Sequence, residues 1–211
     1  MSAGPRPVTD GDEQRPSPSL ARRVAVVGPA TVVAGAVVAW SWRAFGWRSR
    51  RFAFAAVWAP MTWLGTISRV VTPRLPSRCH ELARFERGGA RLYELLGVRV
   101  VKRLLRRGPI AVFNPGLHLP AEPTPERIAR LDERMREAEA SHTIMFAAST
   151  ATAVAAWAAR SPSTARQVMG WNVVLNGYPV LLQRYNRGLL ERRFAAPVEP
   201  PGAVRQAAGR P

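Results

Sequence analysis

What most restricts this chain is the placement of its charges. All 45 Asp, Glu, Lys and Arg residues fall outside four apolar runs, at 24–42, 52–68, 143–159 and 167–183. A bilayer core about 30 Å thick needs about 20 helical residues, with about 17 as the lower bound. The first run is long enough to cross alone, and the other three stand at that bound. Tryptophan marks the runs as well: Trp40 and Trp42 end the first, with Trp47 just after it, Trp58 and Trp63 lie within the second, and Trp157 and Trp171 sit near ends of the third and fourth. Amphipathic rings favour the lipid interface. The pattern predicts an all-α integral membrane protein with about four transmembrane or membrane-associated helices and a cytoplasmic basic segment between the second and third. Arg22-Arg23 ahead of Ala34-Gly35-Ala36 imitates a twin-arginine leader, but the apolar run continues past that site to Trp42, which favours an uncleaved anchor.

The formal net charge is +17, from 31 basic and 14 acidic residues, and Lys102 is the one lysine among thirty arginines. If all four runs span, 25 basic residues share a side: four in the N-terminus, 15 in segment 69–142 and six after the fourth run. The positive-inside rule then puts both termini and segment 69–142 in the cytoplasm. The arginines flank apolar runs without interleaved aromatic stacking residues, so nucleic acid is not an expected partner. Residues 1–20 and 197–211 are proline-rich and too polar to bury a core, which predicts disordered tails around a single membrane domain at 21–196. Cys79 is the sole cysteine and excludes an internal disulfide.

Within segment 69–142, Thr124-Pro125-Glu126 carries an N-cap, a first-turn proline and an acid, which together start a helix. Ile128, Leu131, Met135, Ala138 and His142 then recur at helical spacing on one face. No proline interrupts 126–159, so one helix of about 50 Å carries His142 to the membrane surface. Glu139 stands three residues before His142, within reach on a helix, so it can hold the imidazole's tautomer and stabilise its protonated form. The same spacing forms half of a carboxylate-bridged di-iron motif, but the other half is missing; with only His80, His118 and His142 available, no metal is expected.

The fourth run ends in Asn176-Gly177-Tyr178-Pro179, then Gln183-Arg184-Tyr185-Asn186-Arg187. An amide deep in an apolar run needs a polar partner or a cavity. The guanidiniums of Arg184 and Arg187 suit bidentate phosphate, and Gln183, Tyr185 and Asn186 suit sugar hydroxyls. Because the third run starts after His142 and the fourth ends at Gln183, a helical hairpin returns both clusters to one membrane face. Farther upstream, Glu86, Gly88-Gly89 and Leu92-Tyr93-Glu94 precede Leu96-Gly97-Val98-Arg99 and Lys102, a short helix ended by a glycine C-cap.

Taken together, the glycine turn, the Leu-Tyr-Glu and Leu-Gly-Val-Arg elements with Lys102, Glu139-x-x-His142, and Asn176 with Gln-Arg-Tyr-Asn-Arg resemble the glycosyl-4,4'-diaponeurosporenoate acyltransferase family over about residues 85–187. Val101 before Lys102, Leu104-Leu105-Arg106 after it, and Leu189 depart from the family pattern and mark a divergent member. The resemblance implies a membrane-bound acyltransferase that esterifies a hydroxyl of a glycosylated carotenoid, or another lipid-borne acceptor, with a fatty acyl group. In that setting His142 is the general base and Glu139 orients it. Lys102, Arg184 and Arg187 hold the donor's phosphates or the oxyanion, and Asn176, with Asn114, binds the acceptor. No cofactor is expected beyond an acyl thioester such as acyl-CoA as co-substrate, and the expected partners are membrane lipid, acceptor and donor. The competing reading is a non-catalytic membrane scaffold whose basic cytoplasmic face binds anionic lipid or a protein.

Overall fold

The computed structural model describes residues 18–83, 86, 91–107 and 122–194. The expected Gly88-Gly89 turn, Asn114, His118, the expected tail at 197–211 and all but the last three residues of the expected tail at 1–20 lie outside the described residues; of those three, Ser19 is an N-cap and Leu20 opens a helix. Among those described, the regular structure is entirely helical.

Helices α1 (Leu20–Phe45) and α2 (Arg50–Ile67) form an antiparallel hairpin. Gly46 closes α1 at φ +72°, and its N–H donates to Trp42 O, while Ser49 caps α2 by accepting from Phe52 N–H. A 3₁₀ turn at Ser77–His80 leads toward the short helices α3 (Arg91–Leu95) and α4 (Val98–Arg107). Gly97 joins them at φ +73°, where a Cβ would be strained, so the expected glycine stop is present.

Helix α5 (Pro125–Ala158) runs 34 residues, about 50 Å, as one piece. Its start is the anticipated one: Thr124 accepts from Arg127 N–H and Pro125 takes the first helical position. Its inner face is also as expected near the start, where Leu131 and Met135 pack with Leu190. Then α6 (Pro162–Asn172), a single π turn (Val173–Gly177) and α7 (Tyr178–Phe194) return along α5. Ala53 and Val57 of α2, Ala153 of α5 and Val168 of α6 form one buried core. A second core joins Tyr93 and Val98 to Leu182 and Tyr185 of α7.

The charge-free runs and the helices do not coincide. The third run is only the second half of α5, and the fourth begins inside α6 and ends inside α7. Capping residues set helix ends, whereas charge density marks polarity alone, so one helix can carry both a polar and an apolar half. Among the described residues α1 is the one helix long and apolar enough to cross a membrane. It leaves Val24, Val32, Val33, Trp40 and Trp42 exposed. Such an uncovered apolar helix predicts that the protein stays with membranes through alkaline carbonate washing and requires detergent for release. Release by high salt alone would contradict it.

Candidate active site

Two polar assemblies lie side by side where α5 meets the returning π turn and α7. The first centres on Arg184. Its Nε and Nη2 donate to the two oxygens of Glu86 at 2.7 and 2.8 Å, and Nη1 donates to Glu139 Oε1 at 2.7 Å. Nη1 also donates to Cys79 O and Nη2 to Glu81 O. All five N–H donors of the guanidinium are thereby engaged. Arg187, 1% exposed, donates from Nη1 to Glu139 Oε2 at 2.8 Å and from Nε to Asp132 Oδ1 at 2.9 Å. Arg136 takes the other Asp132 oxygen. Three carboxylates thus face three guanidiniums.

These contacts occupy Arg184 and Arg187, the two guanidiniums expected to bind phosphate. Both guanidiniums are committed to internal carboxylates. The same contacts correct the pairing of Glu139 with His142: the Glu139 carboxylate lies between two arginines, with His80 Nδ1 3.5 Å from Oε2. Adjacency on the helix loses because each guanidinium brings a full positive charge and several donors to the carboxylate, where a neutral imidazole brings one N–H.

Tyr93 donates its hydroxyl to Glu86, and Ala83 N–H adds a bond at 2.6 Å. Burial alone would raise the Glu86 pKa, but the bonds from Arg184, Tyr93 and Ala83 outweigh it and hold the carboxyl at about 2. Burial, then the Glu86 charge, push the Tyr93 phenol above its ordinary value. The Glu86 bond, acting against burial, raises Arg184 further, with Glu139 adding to it. Gly188 permits the approach: a Cβ there would stand 3.0 Å from Glu86 O, which also accepts from Arg192.

The second assembly belongs to His142. Asn172 Nδ2 donates to Phe146 O at 2.9 Å and to Thr150 Oγ1 at 3.1 Å. A carbonyl can only accept, so this end of the Asn172 amide is fixed as NH₂ and Oδ1 points the other way. Asn176 Nδ2 donates to that Oδ1 at 3.0 Å, which turns Asn176 Oδ1 to His142 Nδ1 at 3.3 Å. The imidazole must then carry its proton on Nδ1 and present Nε2 as a lone pair. Burial lowers the His142 pKa, opposed only in part by the Asn176 bond, so the neutral form dominates at pH 7. Asn172 and Asn176 are both fully buried. The amide in the apolar run has found its partner in the next amide and in the histidine.

The remaining predicted residues divide. Lys102 Nζ donates to Asn186 Oδ1 at 2.7 Å and lies 5.4 Å from the centre of the Tyr185 ring, which itself packs edge-on against Tyr93. Gln183 is buried, and its Oε1 has no hydrogen-bond partner among the described residues. Sequence reasoning missed His80, Asp132 and Asn172, and gave no role to Glu86 or Tyr93. Asn172 was recoverable, as a second amide four residues before Asn176; nothing in the sequence singled out His80.

A family model described as glycosyl-4,4'-diaponeurosporenoate acyltransferase matches residues 76–196. The interval takes in both assemblies and leaves out α1 and α2. No curated protein and no solved structure matches the chain.

Removing Arg184 takes from Glu86 its guanidinium partner and leaves Glu139 with Arg187 alone. Arg184→Met should lower unfolding stability in detergent by about 3 kcal/mol, the usual cost of breaking a buried pair from one side. Because Glu86 is ionised with a depressed pKa, its share of stability is complete above pH 4.5 and declines as pH falls toward about 2. Glu86→Gln should flatten that acid dependence in a thermal melt series; an unchanged slope would detach Glu86 from the clamp's energetics.

Proposed function

The chain belongs to the glycosyl-4,4'-diaponeurosporenoate acyltransferase family, and from that premise we propose that it is a membrane-bound enzyme transferring a fatty acyl group from a thioester to a hydroxyl of a glycosylated, lipid-borne acceptor. The observation that carries the reading is the Asn172–Asn176 relay, which leaves His142 Nε2 as a proton acceptor. His142 Nε2 takes the acceptor hydroxyl's proton as its oxygen bonds to the thioester carbonyl carbon. The carbon–sulfur bond then breaks, and the imidazolium returns the proton to the departing thiolate. Asn176 holds the ring and its tautomer throughout, the part first given to Glu139. The Glu139 carboxylate instead fixes α7 on α5.

Gln183 supports hydroxyl recognition. Its buried Oε1, unpaired among the described residues, accepts from an O–H, and sugar hydroxyls supply that donor. Lys102, held by Asn186 beside the Tyr185 ring, is the cation best placed for the phosphates of a donor such as acyl-CoA. The four apolar runs lie in the membrane in this reading, with both termini and 69–142 cytoplasmic. Exposed Val154, Trp157, Val173 and Val174 on the later helices suit contact with lipid.

Turnover tests the mechanism. At matched protein level, His142→Ala should cut acyl transfer by about 10² to 10⁴ and cause unacylated acceptor lipid to accumulate. A wild-type lipid profile would eliminate the mechanism and leave the scaffold reading. Since the base works only when neutral and its pKa is lowered, the acidic limb of the rate profile should fall below pH 6.5. Asn176→Asp places a carboxylate on the ring and should move that limb to higher pH; an unmoved limb would separate Asn176 from the base. Orientation is checked on the native thiol. Exposed Cys79 should react with an impermeant maleimide in inside-out vesicles and stay silent in intact cells.

A further inference from the structure

Helices α1 and α2 enclose a groove of about 430 Å³, lined by Ala30, Val33 and Val37 on one side and Trp58, Ala59 and Trp63 on the other. Small side chains form its floor and the two indoles its wall. Two polar groups of the wall, those of Trp63 and Thr66, are bonded within the hairpin. Trp63 Nε1 donates to Thr31 Oγ1, Thr31 Oγ1 donates to Val27 O, and Thr66 Oγ1 donates to Thr62 O. What remains facing the groove is almost wholly hydrocarbon, so a ligand there gains from apolar burial and finds little to bond with.

Length and position narrow the occupant. On α1 the lining extends from Val26 to Val37, about 16 Å at the helical rise. One leaflet of a bilayer core is about 15 Å deep, the depth filled by a single acyl chain; a tail reaching across both leaflets would overrun the groove. One end is also tied to the site. Ala30 and Trp63 pack in the apolar cluster of Leu64, Ile67, Ile144 and Met145. Ile144 and Met145 follow His142 by two and three residues on α5, so that end lies at the level of the candidate base while the Val37 and Trp58 end lies deeper. We infer that this groove between α1 and α2 seats the hydrocarbon tail of the acyl donor, with the reacting carbonyl end directed toward His142. The inference rests on the acyl-transfer reading, yet the groove lies outside the matched interval 76–196 and is argued from its own walls.

Full-length protein in nanodiscs, assayed with palmitoyl-CoA and octanoyl-CoA, provides the test. Ala34→Phe, at a further lining position, narrows the groove and should lower the palmitoyl to octanoyl ratio of kcat/KM by at least about tenfold. Val32→Phe, on the exposed side of the same helix and outside the lining, should leave the ratio unchanged. An unaltered ratio in Ala34→Phe, or an equal fall in Val32→Phe, overturns the inference. Photolabelling of the wild type with a diazirine analogue of palmitic acid guards against a variant that fails to fold. Saturable labelling between Trp58 and Trp63, competed by palmitate, supports the groove. Non-saturable labelling, as for surrounding lipid, or α1 cross-linked to α1 of a second copy, overturns it. Saturable labelling with no acyl transfer from either donor would keep the groove as a fatty-chain site while removing the enzymatic reading.

Discussion

The Arg184 guanidinium joins three stretches of chain that lie far apart in sequence. Cys79, Glu81 and Glu86 come from the segment after α2, Glu139 from the middle of α5, and Arg184 itself from α7. Taking such charges out of water is costly, and the cost is offset only when geometry is good and no donor is left over. Here the fork of the guanidinium matches Glu86 in two parallel bonds and its remaining hydrogens find oxygen. Arg187 and Asp132 extend the same balance toward the start of α5. Because the clamp fixes α7 along α5, it also fixes the π turn that precedes α7, and with it the amide that meets His142.

Helix α5 then acts as a ruler between two kinds of work. Glu139 and His142 are less than one turn apart, yet one is buried in charge and the other sits at the edge of an apolar half. The clamp confers rigidity by charge pairing, and loss of one partner leaves the others buried with less compensation. The relay confers a protonation state by orienting neutral amides, which leaves the imidazole free to gain and lose a proton. Dividing these tasks keeps the histidine's affinity for protons out of reach of the strongest local charges.

Much of the fold was legible locally. Thr124 and Pro125 announce α5, the recurrence of Ile128, Leu131 and Met135 gives its buried face, and Gly97 ends a helix where a glycine is required. The two ends of the site, Glu139-x-x-His142 and Gln183 to Arg187, were also visible, as was the hairpin that unites them. Partner choice was not. A spacing of three residues suggests Glu139 with His142, but the actual partners of Glu139 lie 45 and 48 residues away, and sequence proximity says nothing about a guanidinium brought in by tertiary packing. Helix ends misled for a different reason: runs were delimited by charge, whereas α6 begins at Ser161 and Pro162, inside what the charge pattern treats as a loop.

The π turn at Val173–Gly177 holds one residue more than an α-helical path of the same height would use. A single residue rotates everything beyond it by about 100° on a helix of 3.6 residues per turn. The face that presents Asn176 to the histidine and the face that presents Arg184 and Arg187 to the acids are therefore phased by a count, not by the chemistry of the intervening side chains. Val173 and Val174 point outward, where one apolar side chain can replace another. The stretch should consequently resist any gain or loss of length even where its outward side chains vary, so the interval between Asn176 and Arg184 is as diagnostic of a relative as the two residues themselves.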